Sequence, residues 1–185
     1  LQARPWLPAM NSRFSFLVDF ALFQAAWFAC VLATRTDFPH ALPLVGILLV
    51  LSRVVFTNRF RQALPFVLAC AVIGVLGDAV LVKLGFLHFE LYPNLFGAPL
   101  WMVALWLNFG LMIHPLFSWF VKSCPRALIG FSVGGVIAYY SGEKLDVLSL
   151  PMGWQSALAV GAEWGMAGMV LRFLQVRFAK GENKS

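Results

Sequence analysis

Six long apolar stretches take up most of the chain: Phe14 to Thr34, Ala41 to Phe56, Leu64 to Phe86, Ala98 to Phe120, Arg126 to Gly142 and Trp154 to Val176. A helix rising ~1.5 Å per residue needs about 20 apolar residues to cross the ~30 Å hydrocarbon layer of a bilayer. The second and fifth stretches are the shortest; the others reach that length. Runs this continuous lack the alternation of barrel strands. In lipid each segment must satisfy its own backbone hydrogen bonds, which a helix does. The fold class expected is therefore all-α integral membrane, a bundle of about six transmembrane helices. Composition agrees: 61% of the 185 residues are hydrophobic and 12% are charged, against roughly 25% charged in soluble domains. A water-soluble fold of this size would lack the polar side chains to cover so much apolar surface.

Turn chemistry separates the stretches: "TRTDFPH", "TNRFRQ", "HFELYPNLFGAP", "KSCPR" and "GEKLDVLSLPMG". The membrane domain is expected over residues 14–176, preceded by a cytoplasmic segment, 1–13, and followed by a basic cytoplasmic tail, 177–185. Met10 opens "MNSRFSFLVDFALFQ", which reads as a natural start, so residues 1–9 are assigned no structural role. The first stretch has a basic front like a signal peptide. It is longer than an h-region and no small-x-small cleavage site follows, so a retained helix is expected.

Charge gives the orientation. With the N-terminus inside, Arg35, Lys83 and Lys144 are the cations on the outer side; the rest of the 14 lysines and arginines, Arg4 to Lys184, fall on the cytoplasmic side or at its span ends. This positive-inside bias suits an even number of spans with both termini cytoplasmic, as in a bacterial inner membrane. It also accounts for the net charge of +6 without a nucleic acid, because the basic residues form no continuous stripe. The partner expected is the lipid bilayer, with other membrane subunits or a second copy as further candidates. Cys30, Cys70 and Cys124 are far apart and suggest buried small hydrophobes rather than a disulfide or zinc framework. His40, His88, Glu90, Glu143 and Asp146 map to the outer loops and read as solvated residues. Neither a metal nor an organic cofactor is indicated, and none of the nucleotide, protease or hydrolase motifs is present.

Three acids remain inside the stretches: Asp19, Asp78 and Glu163. A charged carboxylate at the bilayer centre costs ~2.5–3.5 kcal/mol even on the lenient insertion scale, so a proton or a partner is needed. Asp19 and Arg53 each sit about a turn inside the cytoplasmic face and form a candidate helix-end ion pair. Glu163 falls about 14 Å below the outer end of the sixth stretch, and Asp78 about 20 Å from the cytoplasmic end of the third. The candidate intramembrane polar site comprises Asp78 and Glu163 with His114, Asn108, Gln24, Trp27 and Trp106; Trp164 supplies a further indole N–H. Small residues form helical stripes: Ala157, Gly161, Gly165 and Gly168 on the sixth stretch, Ala71, Gly74, Asp78 and Gly85 on the third, and Gly130, Gly134, Ala138 and Ser141 on the fifth. All three read as packing surfaces. Glu163 points about 200° from Gly161, at 100° per residue, which implies a sixth helix surrounded by protein. Together the stripes predict a tight core of helices three, five and six. Pro115 after His114 frees a carbonyl near Leu111 and predicts a kink or a cavity lining.

A three-plus-three repeat is also readable. "FQAAWFACVL" resembles "MVALWLNFGLM" when aligned on Trp27 and Trp106, and "GVLGDAVLVKLGF" resembles "GAEWGMAGMVLRF", bringing Asp78 near Glu163. Two inverted three-helix halves are the expectation this supports.

The phrases "FALFQAAWFACVLAT", "GVLGDAVLVKLG", "PLWMVALWLNFGLMIHPLFSW" and "GGVIAYYSGEKLDVLS" together resemble a family of small bacterial inner-membrane proteins, domain of unknown function family 2878. The resemblance covers roughly Phe20 to the end of the sixth stretch and implies several spans. Where the family pattern has "GP" before "YxAGExLG", this chain has Gly134-Gly135 and ends "KLD". No catalytic residue is carried over. Three functional readings follow: a small transporter-like or accessory protein with a polar intramembrane site, an intramembrane enzyme or enzyme partner in membrane-lipid modification, and a structural scaffold subunit. An enzymatic role is the less favoured.

Overall fold

A computed structural model describes residues 12–89, 94–95 and 97–182. The segment 1–11 that carries the expected start and Arg4, together with Glu90 and Lys184, lies outside the described residues. Six α-helices account for nearly all of the described chain: α1 Ser12–Leu32, α2 Ala41–Phe56, α3 Phe60–Lys83, α4 Leu100–Phe117, α5 Cys124–Lys144 and α6 Trp154–Glu182. Each expected stretch becomes one helix, and the second has the expected bounds. Four helical segments, Arg13–Arg35, Phe60–Lys83, Leu100–Phe117 and Trp154–Phe178, are long and apolar enough to cross a membrane. Ala41–Phe56 is as apolar but shorter. In α5 the run "GFSVGG" and the polar end "YYSGEK" dilute the apolar character.

The helices alternate in direction, and side chains tie the ends together on both sides. At one end the links after α1, α3 and α5 meet. Arg35 pairs with Asp146 at 3.0 Å, and the two-residue strands β1 (His88–Phe89) and β4 (Leu148–Ser149) form an antiparallel pair. Strands β2 (Asn94–Leu95) and β3 (Ala98–Pro99) make a second small pair at the entry to α4. At the other end Arg172 of α6 donates to the carbonyl of Val121, between α4 and α5, at 3.0 Å. Helix α3 stops cleanly because Gly85 takes φ +77°. The amides of Gly85 and Phe86 then bond back to Val82 and Leu81 at 3.1 and 2.9 Å, a left-handed helix cap that a residue with a Cβ would strain.

Helix α4 sits at the centre, with Trp101, Met102, Trp106, Phe109, Met112 and Ile113 all buried, and it packs against α1, α2 and α3. The outside of the bundle is apolar. On α3 the row Leu64, Leu68, Val72, Leu76, Val80 and Leu84 is 42–59% exposed, a stripe at four-residue spacing that points away from the protein. In water such a stripe would be an association surface; in hydrocarbon it costs nothing to leave uncovered.

Two expectations about packing are met and two are corrected. The small-residue face of α6 does seat α5. A Cβ at Gly165 would meet the hydroxyl of Ser132 at 2.5 Å, one at Gly168 would meet the carbonyl of Ala127 at 2.6 Å, and Ser132 donates to the carbonyl of Gly161 at 2.7 Å. Glu163 leaves the opposite face toward α3, so α6 has protein on both sides. The fifth-helix stripe is a different matter. A Cβ on Gly134 would meet nothing within 4 Å, and Gly130, Gly134, Ala138 and Ser141 line an open groove. The face that packs on α6 is the one carrying Ala127, Phe131, Ser132 and Gly135, so α3 joins α6 but not α5 in a close core. The halves are also unequal. Helix α5 packs along α6, whereas the corresponding pair, α2 and α3, touches only lightly, which does not match two equivalent three-helix units. Cys30 and Cys70 are buried as expected; Cys124, at the start of α5, is exposed.

Candidate functional site

Three glycines make room for the polar cluster. On α3, Gly74 and Gly77 are one turn apart. A side chain at Gly74 would overlap the indole of Trp106, and one at Gly77 would overlap the carboxylate of Glu163. On α5, a side chain at Gly135 would overlap the indole of Trp164. These absences let α4 and α6 approach α3 closely enough to place two tryptophans and a glutamate beside Asp78. The indoles stack, with centroids 4.4 Å apart and planes 26° from parallel.

Asp78 is completely buried and Glu163 is 4% exposed. Trp106 Nε1 donates to Asp78 Oδ2 at 3.0 Å, and the hydroxyl of Tyr139, from α5, donates to Asp78 Oδ1. Both oxygens of Asp78 are thus held by neutral donors. Neither oxygen of Glu163 has a hydrogen-bond partner among the described residues, and its carboxylate lies against Gly77, the residue before Asp78. Two acids this close, far from water and without a cation among their bonding partners, cannot both stay ionised cheaply. The indole N–H of Trp164 likewise has no acceptor in bonding geometry among the described residues. The cluster is a set of buried polar atoms with unfilled capacity next to Tyr139 and Trp164, which also face the groove.

The other expected members are dispersed. Asn108 is buried and points its Nδ2 at Cys30 Sγ, 3.9 Å away on α1, while its Oδ1 has no partner among the described residues. Gln24 and Trp27 line the groove beside the cluster. His114 lies about 12 Å further along α4 than Trp106 by helix rise, where its ring meets Phe66 edge-on at 4.7 Å; it is not among the bonding partners of the acids. Helix α4 runs through Pro115 to Phe117. Tyr139 is the member that sequence reasoning missed. Its signal was its place beside the two neighbouring glycines, on the α5 face that also carries Gly135 one turn earlier.

The helix-end pair is found and enlarged. Arg53 Nε donates to Asp19 Oδ1 at 2.7 Å and Arg59 donates to Oδ2 at 2.9 Å. Arg53 also reaches the hydroxyl of Ser15 at 2.9 Å. Arg59, at the turn between α2 and α3, is thus a second cation on Asp19.

An all-helical bundle with an apolar exterior and acids sealed in its interior has the build of a membrane-compatible protein with an internal polar site. The chain belongs to the Protein of unknown function (DUF2878) family, whose model matches residues 16–170 and so encloses Asp19, Asp78, Tyr139 and Glu163. No curated protein and no solved structure matches the chain.

Proposed function

We propose that this is a six-span protein of the bacterial inner membrane, with both termini cytoplasmic, in which the Asp78–Glu163 pair holds a proton for a small carrier. The observation that carries the reading is Glu163: a glutamate buried within a crossing-length helix, both oxygens unpartnered, against a second acid whose own oxygens are occupied by Trp106 and Tyr139. Structural acids are normally given partners, whereas an acid kept in lipid without one is suited to gain and lose a proton. The alternating helix directions and the charge bias of the loops support the six-span topology. The reading of a lipid-modifying enzyme needs a base near the carboxylates, and His114, packed on Phe66, is not among their bonding partners.

The test uses vesicles from cells overproducing the full chain, energised with an imposed pH gradient and challenged with amphipathic amines and carboxylates. Addition of a transported compound is expected to collapse the gradient. Glu163→Gln is expected to abolish that response while the protein remains in the membrane at normal abundance. A response equal in wild type and Glu163→Gln, or no response to any compound, contradicts the proposal.

A further inference from the structure

A half-open cavity of about 810 Å³ lies between α1 and α4 on one side and α5 on the other. Its position is unexpected for a membrane bundle, because the face of α5 that borders it carries the small residues Gly130, Gly134 and Ala138, which elsewhere mediate close packing. Here Gly130 is covered by the ring of Phe120, but the space at Gly134 is empty for at least 4 Å. The opposite wall is aromatic, with Phe23, Trp27 and Phe28 from α1, and the buried rings of Trp106 and Tyr139 lie toward the floor. The lining positions on α5 run from Gly130 to Lys144, about 21 Å at ~1.5 Å per residue.

Shape and charge together indicate the occupant. A flexible hydrocarbon chain can enter and follow the groove to its floor, and the volume is within the ~300–1,000 Å³ common for small-molecule sites. One end is cationic. Lys144 lines the groove with its ammonium 5.1 Å from the ring centre of Tyr140, and it makes no ion pair among the described residues. The acids near it are engaged: Asp146 pairs with Arg35, and Glu143 accepts the amide of Leu150 at 2.9 Å. We propose that this groove binds one acyl tail of an anionic phospholipid from the surrounding bilayer, with the headgroup phosphate at Lys144. The open backbone at Gly134 lets the tail lie against α5, and the rings of α1 cover its other side. The groove shares the rings of Trp106 and Tyr139 with the proton site, but neither Asp78 nor Glu163 lines it.

The experiment is native mass spectrometry of the full chain, released from mild detergent after exposure to phosphatidylglycerol or phosphatidylcholine. Wild type is expected to retain one phosphatidylglycerol per chain in preference to phosphatidylcholine. Gly134→Leu fills open space, so it is expected to fold normally and to retain at least tenfold less lipid. Lys144→Ala is expected to keep binding lipid but lose the preference for the anionic one, and Glu163→Gln to bind as wild type. Failure of wild type to retain lipid, or retention by Gly134→Leu equal to wild type, overturns the proposal. So does a dimer that Gly134→Leu dissociates, which would assign the groove to a second copy.

Discussion

Two places in this bundle bury a carboxylate, and they neutralise it in opposite ways. At the end of the bundle where α1 begins, Asp19 is 1% exposed and held by two guanidinium groups. In the interior, Asp78 is held by an indole and a phenol, and Glu163 by nothing among the described residues. The first region uses charge because it lies at the edge of the bundle, where the Arg59 side chain is 33% exposed. A guanidinium at the depth of Glu163 would have no such exposure. The difference teaches that the depth of an acid, more than its residue type, decides whether it is a structural tie or a chemical group.

The sharpest way to break that comparison is to remove the acid from the shallow region. Asp19→Asn leaves two arginines without their shared anion, and removing one partner of a buried pair costs about 3–5 kcal/mol. It is expected to lower the unfolding midpoint in detergent and the abundance in the membrane. A stable Asp19→Asn protein would show that the arginines are solvated independently. Next comes the seat of the deep acid. Gly77→Val introduces a side chain where the Glu163 carboxylate lies and is expected to cost about 1–3 kcal/mol by overpacking. Most of that loss should be recovered in Gly77→Val/Glu163→Ala, measured as a double-mutant cycle; an additive cycle contradicts the described contact. Tyr139→Phe removes one donor to Asp78 and is expected to cost about 1 kcal/mol, since Trp106 still holds the other oxygen. The smallest effect separates two neighbouring glycines. Gly134→Ala faces open space and should change stability by no more than about 0.5 kcal/mol. Gly135→Ala meets the Trp164 indole and should be measurably destabilised by comparison.

Much of this was legible in the residues. Helix number and bounds follow from the length of the apolar runs, which is a one-dimensional property. The Asp19–Arg53 tie follows from two charges at matching depth. The face of α6 that carries Gly161, Gly165 and Gly168 could be read as a packing surface, and Glu163 as leaving the other side, because both are fixed by the 100° turn. What periodicity could not supply was the partner of each face. The stripe of Gly130, Gly134 and Ala138 has the same spacing as the α6 stripe, yet it borders a groove. Whether a small-residue face is covered depends on where the neighbouring helices go. His114 and Asn108 shared a helix with Trp106 but project elsewhere, so proximity in sequence brought only Trp106 to the acids. Tyr139 came from a helix whose rotation about its axis was set by Gly135 against Trp164, a contact between residues far apart in the chain.

The account depends on the Asp78–Glu163 pair holding a proton in the folded protein. Infrared spectroscopy of the full chain in lipid nanodiscs at neutral pH reads this directly, through the carbonyl stretch of a protonated carboxyl group. A band that disappears in Glu163→Gln and survives in a double variant replacing Tyr139 and Trp106 by Phe is the expected result. A spectrum with no protonated-carboxyl band, or one that Glu163→Gln leaves unchanged, would contradict it.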